Sequence, residues 1–515
     1  MALTLYHKVL YTVENPNRAV PMRLPTERSL GILGLAALLG VLGDALLRAT
    51  PWGINFLLWM GVAAASAWAL VPDRQNGRSP ITGWPLLAVM FFALCFAWRD
   101  SSFLRFWNGV AILGALSLPA LQMHGVQLRL ARITDYAMGL AASGINAVAG
   151  ALMLTPDDVH WHVMSRHGRQ ARAAAVGVAL AVPVLLVFGG LLMSADPGFE
   201  RMVQSLVDWA FSNIASHVLL AGFIAWTSAG YLRTLATARD PVLKLGNAAL
   251  AKAPSKPGLG LLELGIPLGA LSVIFLVFVG LQARYLFGGE AVILETAGLT
   301  YAEYARGGFF ELVTASTLLL PVLLGTEWLL DKSNLRNVMR FRALSATLLV
   351  LIGLMMMSAV QRMRLYIDAY GLTQDRFYAM AFMIWIGVVL ALYGATVLRG
   401  MRNRFAFGAV TTGFVTLAVL NIMNPEAVIV RTNLARAEAG AELDLEYAAR
   451  LHADAIPELI ARAPVLLQED QCEVFWSAID RWTPREAADW RSWNLSRAKA
   501  RRAVFRAGPP RCGAS

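Results

Sequence analysis

The stretch Leu268-Gly269-Ala270-Leu271-Ser272-Val273-Ile274-Phe275-Leu276-Val277-Phe278-Val279-Gly280-Leu281 holds no charged residue and a single hydroxyl. Its apolar character extends outward to about Leu262–Leu286, with Arg284 and Tyr285 at the far edge. An uninterrupted run of this length is too long for an ordinary core helix, and it matches the ~20 residues that cross ~30 Å of bilayer hydrocarbon. Gly31–Leu47, nearly bare of charge, repeats the pattern at the other end of the chain.

The whole composition agrees. The chain has 515 residues, 57% hydrophobic and only 15% charged, with a mean hydropathy of +0.54. A soluble domain carries roughly 25% charged residues. These numbers leave one class, an all-α polytopic transmembrane helix bundle with a small helical soluble segment at its C-terminal end.

Apolar length, with Trp, Tyr and Arg at the edges, places eleven spans. They fall at about Leu30–Leu47, Trp52–Val71, Pro80–Trp98, Leu104–Leu121, Ala173–Met193, Ile214–Leu232, Leu262–Leu286, Phe309–Leu330, Ala343–Val360, Phe377–Leu398 and Phe405–Ile422. Gly139–Leu154 is a further apolar segment, short for a span and interrupted by Ser143 and Asn146.

Charge bias resolves it. If Gly139–Leu154 lies along the membrane surface, the loops holding Arg74 and Arg78, Arg166 to Arg172, Lys244 to Lys256, Lys332 to Arg340, and Arg399 to Arg404 all share one side. Lys and Arg favour the cytoplasmic side, so the N-terminus is expected inside and the C-terminus outside. The resulting division is a cytoplasmic segment over 1–29, a membrane domain over 30–423 and an extracytoplasmic helical tail over 424–515. No cleavable leader is expected, because the first apolar run begins only near Leu30 and no small-residue site follows it. The net charge of +11 is explained by these loops. No basic block with exposed aromatics points to nucleic acid, so the expected partners are membrane lipids and an extracytoplasmic partner for the tail.

In the tail, Asn424-Pro425 ends the last span, and breaks at Pro457, Pro464 and Pro484 leave about four short helices. Cys472 and Cys512 both lie there, and an oxidising compartment permits them to pair. Cys95 reads as a small buried apolar residue.

Ionisable and aromatic residues gather in four stretches, all on the outer side of this topology. They are Arg99-Asp100-Ser101-Ser102, Ala195 to Arg201 with Asp196, the stretch from Gln282 to Glu311, and Arg362 to Tyr370. As a helix, Tyr301 to Glu311 sets Tyr301 beside Tyr304 and Glu303 beside Arg306. Arg362, Arg364, Tyr366, Asp368 and Tyr370 alternate with apolar residues, which suits an extended or interfacial strand. Ionisable groups at headgroup depth cost several kcal/mol unless paired or hydrated, so they line cavities or neutralise one another. The candidate outer site is therefore Asp196, Arg284, Tyr285, Tyr301, Glu303, Tyr304, Arg306, Glu311, Arg364, Tyr366 and Asp368. The competing reading is an interfacial belt of Arg and Tyr that anchors the helices.

Other polar features are read as structural. Asp44 and Asn55 flank the first outer turn. His160, His162 and His167 lack the carboxylate or cysteine that completes a metal site, so no metal is expected. No Walker A sequence, complete dinucleotide glycine pattern, zinc-protease motif or serine nucleophile elbow occurs, and no cofactor is expected.

Arg99–Arg105, Ala195-Asp196-Pro197, Leu281–Gly289, Leu299–Phe310, Arg362–Thr373 and Asn424–Leu434 resemble the recurring motifs of a bacterial polytopic membrane protein family. It is the family of unknown function numbered four-one-five-three, with its relative four-one-seven-three. The resemblance runs from about the third span into the tail and implies a bacterial inner-membrane location, but carries no catalytic role with it. Three functions stay open. They are transport of an anionic or lipid-linked substrate through an outward polar site, an envelope enzyme using one of the same acids as general base, and a sensor or assembly factor.

Overall fold

The computed structural model describes residues 26–70, 83–123, 126–154, 188–194, 196–211, 215–236, 259–287, 309–462 and, with short gaps, 472–507. Every named element among them is helical. An isolated bridge between Leu259 and Leu330 is the one β-type pairing they contain.

The membrane part comprises α1 (Thr26–Leu47), α2 (Ile54–Leu70), α3 (Trp84–Trp98), α4 (Ser102–Met123), α5 (Ile133–Met153), α6 (Pro197–Phe211), α7 (Ala215–Ala236), α8 (Leu261–Phe287), α9 (Phe309–Leu329), α10 (Leu335–Tyr370), α11 (Gln374–Thr396) and α12 (Phe405–Met423). Eight stretches among the described residues are long and apolar enough to cross a membrane, and α2 and α3 are shorter apolar helices. Together they occupy the expected span positions except Ala173–Met193, which lies largely outside the described residues. The chain is a helical membrane protein, and its surface is apolar to match: Leu262, Ile266, Val273 and Ile274 of α8 are all exposed.

Small residues set the helix spacings in the N-terminal half. A Cβ added at Gly40 of α1 would lie 2.4 Å from the Ala221 carbonyl of α7. One at Gly230 of α7 would lie 2.4 Å from the Ala147 carbonyl of α5. Close approach of this kind strengthens packing where lipid is as apolar as the side chains. The C-terminal half packs α8, α9, α10 and α11 around Leu323, Leu348, Ile352 and Tyr393, all fully buried.

Helix α5 packs against α4 and α7. Near its start, Tyr136, Met138 and Ala142 join Leu121 at the end of α4 and Phe407 at the start of α12. Just past its end, Leu154 joins Ile32, Leu39, Leu86, Leu232 and Leu235 in one apolar cluster. Its middle is pinned by the Trp226 indole, which donates to the Val148 carbonyl at 2.8 Å.

One expectation is corrected. Arg362–Tyr370 is not extended: α10 continues unbroken through it for 36 residues, and Gly371 at φ 79° ends it. The period-two alternation misleads because no Pro or Gly interrupts the stretch, and long Arg and Tyr side chains can reach water from several positions on a helix end. Helix continuation satisfies every backbone group without a sheet partner.

The tail follows α12 and packs on the α1–α2 and α3–α4 turns. It contains α13 (Pro425–Glu438), α14 (Leu445–Arg450), α15 (Ile456–Arg462) and α16 (Leu495–Ala507). They enclose their own apolar core of Ile429, Leu434, Ile456, Leu459, Phe475, Ile479 and Ala500. Cys472 is disulfide-bonded, and Cys95 is a free buried thiol.

Candidate functional site

Among the described residues, an extended polar assembly joins the tail to the membrane helices. It begins at the three-residue turn between α3 and α4, where groups left open at the helix ends are met by side chains. Arg99 turns inward and donates from Nε to the Asn421 carbonyl at 2.6 Å. Its Nη2 donates to the Ile422 carbonyl at 3.1 Å. Both carbonyls belong to the unpaired end of α12. The remaining Nη1 reaches Asp454 at 3.1 Å.

Asp454 is the pivot. Its side chain is almost wholly buried. It accepts from Arg99, from the Asp100 backbone N–H at 2.6 Å and from the Ser496 hydroxyl. A carboxylate has about four acceptor sites, and this one meets three donors from the α3–α4 turn and from α16. Asp100 in turn receives the Arg105 guanidinium and Arg497 at 3.0 Å. Burial pulls the Arg497 guanidinium below its ordinary range, and the Asp100 charge opposes that shift. Arg497 also donates to the Pro51 and Ser492 carbonyls at 3.1 and 2.6 Å, which ties α16 to the α1–α2 turn. Asn494 completes the seam by donating to the Phe96 and Arg99 carbonyls at 2.8 and 2.9 Å.

Asparagines carry the network into the bilayer-spanning helices. Asn108 of α4 and Asn421 of α12 exchange amide hydrogen bonds at 3.0 and 2.9 Å, both fully buried. Asn424 sits at φ 57° and directs the chain from α12 into α13. Asn tolerates this left-handed conformation better than other residues with a Cβ. Its side chain donates to the Asp454 carbonyl at 3.3 Å.

A second node follows one helical turn on. Glu426 is fully buried and accepts from Gln374 at 2.8 Å, from the His452 backbone N–H at 2.7 Å and from His452 Nδ1 at 2.9 Å. The hydrogen bond to Glu426 raises the His452 pKa above its ordinary 6.5, burial opposes it, and the charges of Glu426 and Asp100 add to the rise. A raised folded-state value makes the contact strongest below pH 6.5, and it weakens as pH climbs through that raised value. Tail docking in detergent is therefore expected to loosen on the alkaline side. Replacing His452→Gln should flatten this pH dependence, read as the rate of limited proteolysis of the tail.

The candidate residues from the sequence take separate places. Asp196 is exposed, and its Oδ1 accepts from the Gly198 and Phe199 N–H groups at 2.6 and 2.8 Å as the cap of α6. Glu311 lies exposed in the first turn of α9. Tyr366 stacks under the Arg376 guanidinium at 3.9 Å. Asp368 offers its backbone carbonyl to Arg436 at 2.6 Å. Arg364 is exposed and lines a groove of about 640 Å³ between α10 and α11, with Gly353, Met356, Met357, Met383 and Gly387. Arg284 and Tyr285 lie on α8, and their side chains are outside the described residues, as are Tyr301, Glu303, Tyr304 and Arg306. No hydrogen bond or ion pair joins Asp196, Glu311, Arg364 and Asp368 to one another among the described residues. Asp44 pairs with Arg48 and His217, and Asn55 closes the α1–α2 turn by donating to the Leu46 and Ala49 carbonyls. His160, His162 and His167 are outside the described residues, and no described cluster offers three metal ligands.

Of the four polar stretches, the tail engages Arg99–Ser102 through side chains and Arg362–Tyr370 through the Asp368 carbonyl. The partners of Arg99–Ser102, namely Asp454, Arg497 and Asn494, lie outside the candidate residues, as does the buried Glu426 of the second node. Asn108 and Asn421 did carry a signal, because an amide inside a membrane helix needs a partner.

The fold and this buried seam define a helical membrane protein with a docked C-terminal tail. The chain belongs to the family described as a domain of unknown function (DUF4153), whose model matches residues 86–461. That range contains Arg99, Asp100, Asn421, Glu426, His452 and Asp454, but not Gly53 or Arg497. No curated protein and no solved structure matches the chain.

Proposed function

We propose that the protein is a multi-pass protein of the bacterial inner membrane, N-terminus inside and tail outside, that transports an anionic or lipid-linked substrate through a site on the tail side. The division at residues 30 and 424 belongs to the same reading. The disulfide at Cys472 supports an oxidising environment for the tail.

The observation that carries the substrate class is Arg364. It stands exposed at the tail-side end of the α10–α11 groove, with no carboxylate partner among the described residues. The groove walls are apolar and rich in Met, a side chain that conforms to varied shapes. A cation at the mouth of an apolar channel suits a molecule with an acidic head and a hydrocarbon body. A charge-assisted hydrogen bond contributes about 1.5–3 kcal/mol, so Arg364→Gln is expected to weaken substrate retention about tenfold or more. The measurement is mass spectrometry of acidic lipids co-purifying with the chain, with Arg364→Lys as the charge-conserving control. Equal lipid content in wild type and Arg364→Gln, at equal thermal stability, would overturn the assignment.

A second reading is an assembly factor that presents the tail to a partner. The rigid docking of the tail by Asp454 and Glu426 favours it, because a fixed platform loses less entropy on binding.

A further inference from the structure

Helix α16 has two faces of opposite character. Ser496, Arg497, Ala500 and Val504 are buried against the bundle and the tail core. Lys499, Arg502 and Arg506 are exposed on the other side, at three- and four-residue spacing that places them in one row. No carboxylate among the described residues pairs with any of the three. Phe505, beside this row, is 78% exposed.

The segment leading into α16 is held beside the ends of two membrane helices. Arg491 donates to the Ala45 carbonyl at 2.6 Å, near the end of α1. The Ile54 N–H at the start of α2 donates to the Trp493 carbonyl at 2.8 Å. Trp490 and Trp493 are thereby held beside two membrane-helix ends, and both side chains are exposed. Indole rings partition to the headgroup layer, and rows of Lys and Arg at that depth are drawn to anionic lipid. On the proposed orientation the row also runs against the general bias of basic residues toward the inner side.

We propose that Lys499, Arg502 and Arg506, with Trp490, Trp493 and Phe505, form a docking surface for the headgroups of anionic phospholipids in the tail-side leaflet. The buried seam at Asp454 holds the helix in place, and the basic row supplies the electrostatic attraction. The reading is independent of the groove at Arg364.

The test uses the full chain in nanodiscs, with a fluorophore attached at Ala507→Cys, an exposed position at the end of α16. In discs containing phosphatidylglycerol the label is expected to be several-fold less accessible to an aqueous quencher than in discs of phosphatidylcholine alone. The difference should vanish at high salt, which screens surface charge, and in the variants K499Q/R502Q/R506Q and K499E/R502E/R506E. These residues are exposed, so both variants should keep the wild-type thermal transition. Equal accessibility in the two lipid compositions would overturn the proposal. So would protection in the charge-removed variants, or protection conferred by a soluble polyanion but not by phosphatidylglycerol, which would assign the face to a soluble acidic partner.

Discussion

Asp454→Ala is expected to release the tail from the membrane bundle and to destabilise the folded chain by about 3–5 kcal/mol. The carboxylate receives Arg99, the Asp100 N–H and Ser496 at a site closed to water. Its removal leaves the Arg99 guanidinium buried beside the α12 end without a counter-charge, and leaves the Asp100 N–H without its acceptor. An uncompensated buried charge costs more than the pair contributed, so the structure must either open or hydrate the seam. Opening exposes the junction near Asn424 and the 490–497 segment. The expected readout is rapid proteolytic removal of the tail in detergent, with a lowered thermal transition of the whole chain. Asp454→Asn should fall between the two, because the amide keeps an acceptor but loses the charge. Ser496→Ala removes a single donor and is expected to cost about 1 kcal/mol. Wild-type proteolysis in Asp454→Ala would show that the seam does not hold the tail.

Gly53→Ala is expected to strike the same seam from the other side. An added Cβ would lie 2.1 Å from the Trp493 carbonyl oxygen and 2.9 Å from its carbon. The obstruction is backbone, so no side-chain rotation relieves it. Either the α1–α2 turn or the 492–494 segment must shift, which breaks the hydrogen bond from the Ile54 N–H to Trp493. Overpacking of this kind costs about 1–3 kcal/mol, and here it acts on one contact. Arg497 reaches Pro51 in the same turn, so its contact should loosen as well. The predicted result is faster tail proteolysis with the remaining helices intact, measured by circular dichroism. Gly265→Ala of α8, whose added Cβ meets only Leu261 at 3.9 Å, is the matched control and should leave the chain unchanged.

The membrane helices were the most legible part of the chain. Leu268–Leu281 and its counterparts announce themselves by length and lack of charge, because transfer into hydrocarbon depends on each segment's own composition. Arg99-Asp100-Ser101 was legible as a polar outlier for the same reason. Its partners were not. Asp454 and Arg497 lie 355 and 397 positions from the residues they bind, inside a tail where acids and bases are common. Nothing local separates Glu426, fully buried, from the solvated glutamates that follow it. The alternation in Arg362–Tyr370 was legible but misleading, since helix continuation outweighed a period that side-chain reach can produce by itself.

Sequence alone therefore determined the class of this protein, an all-α bundle for a bilayer with a helical C-terminal segment. That property sums over segments and survives any arrangement of them. Only the tertiary structure decided that the tail is bound into the bundle through Asp454 and Glu426, that Arg364 overlooks a groove, and that α16 turns Lys499, Arg502 and Arg506 outward. Hydrogen bonds and ion pairs act over a few ångströms and demand particular directions. They exist only once distant parts of the chain have been brought together.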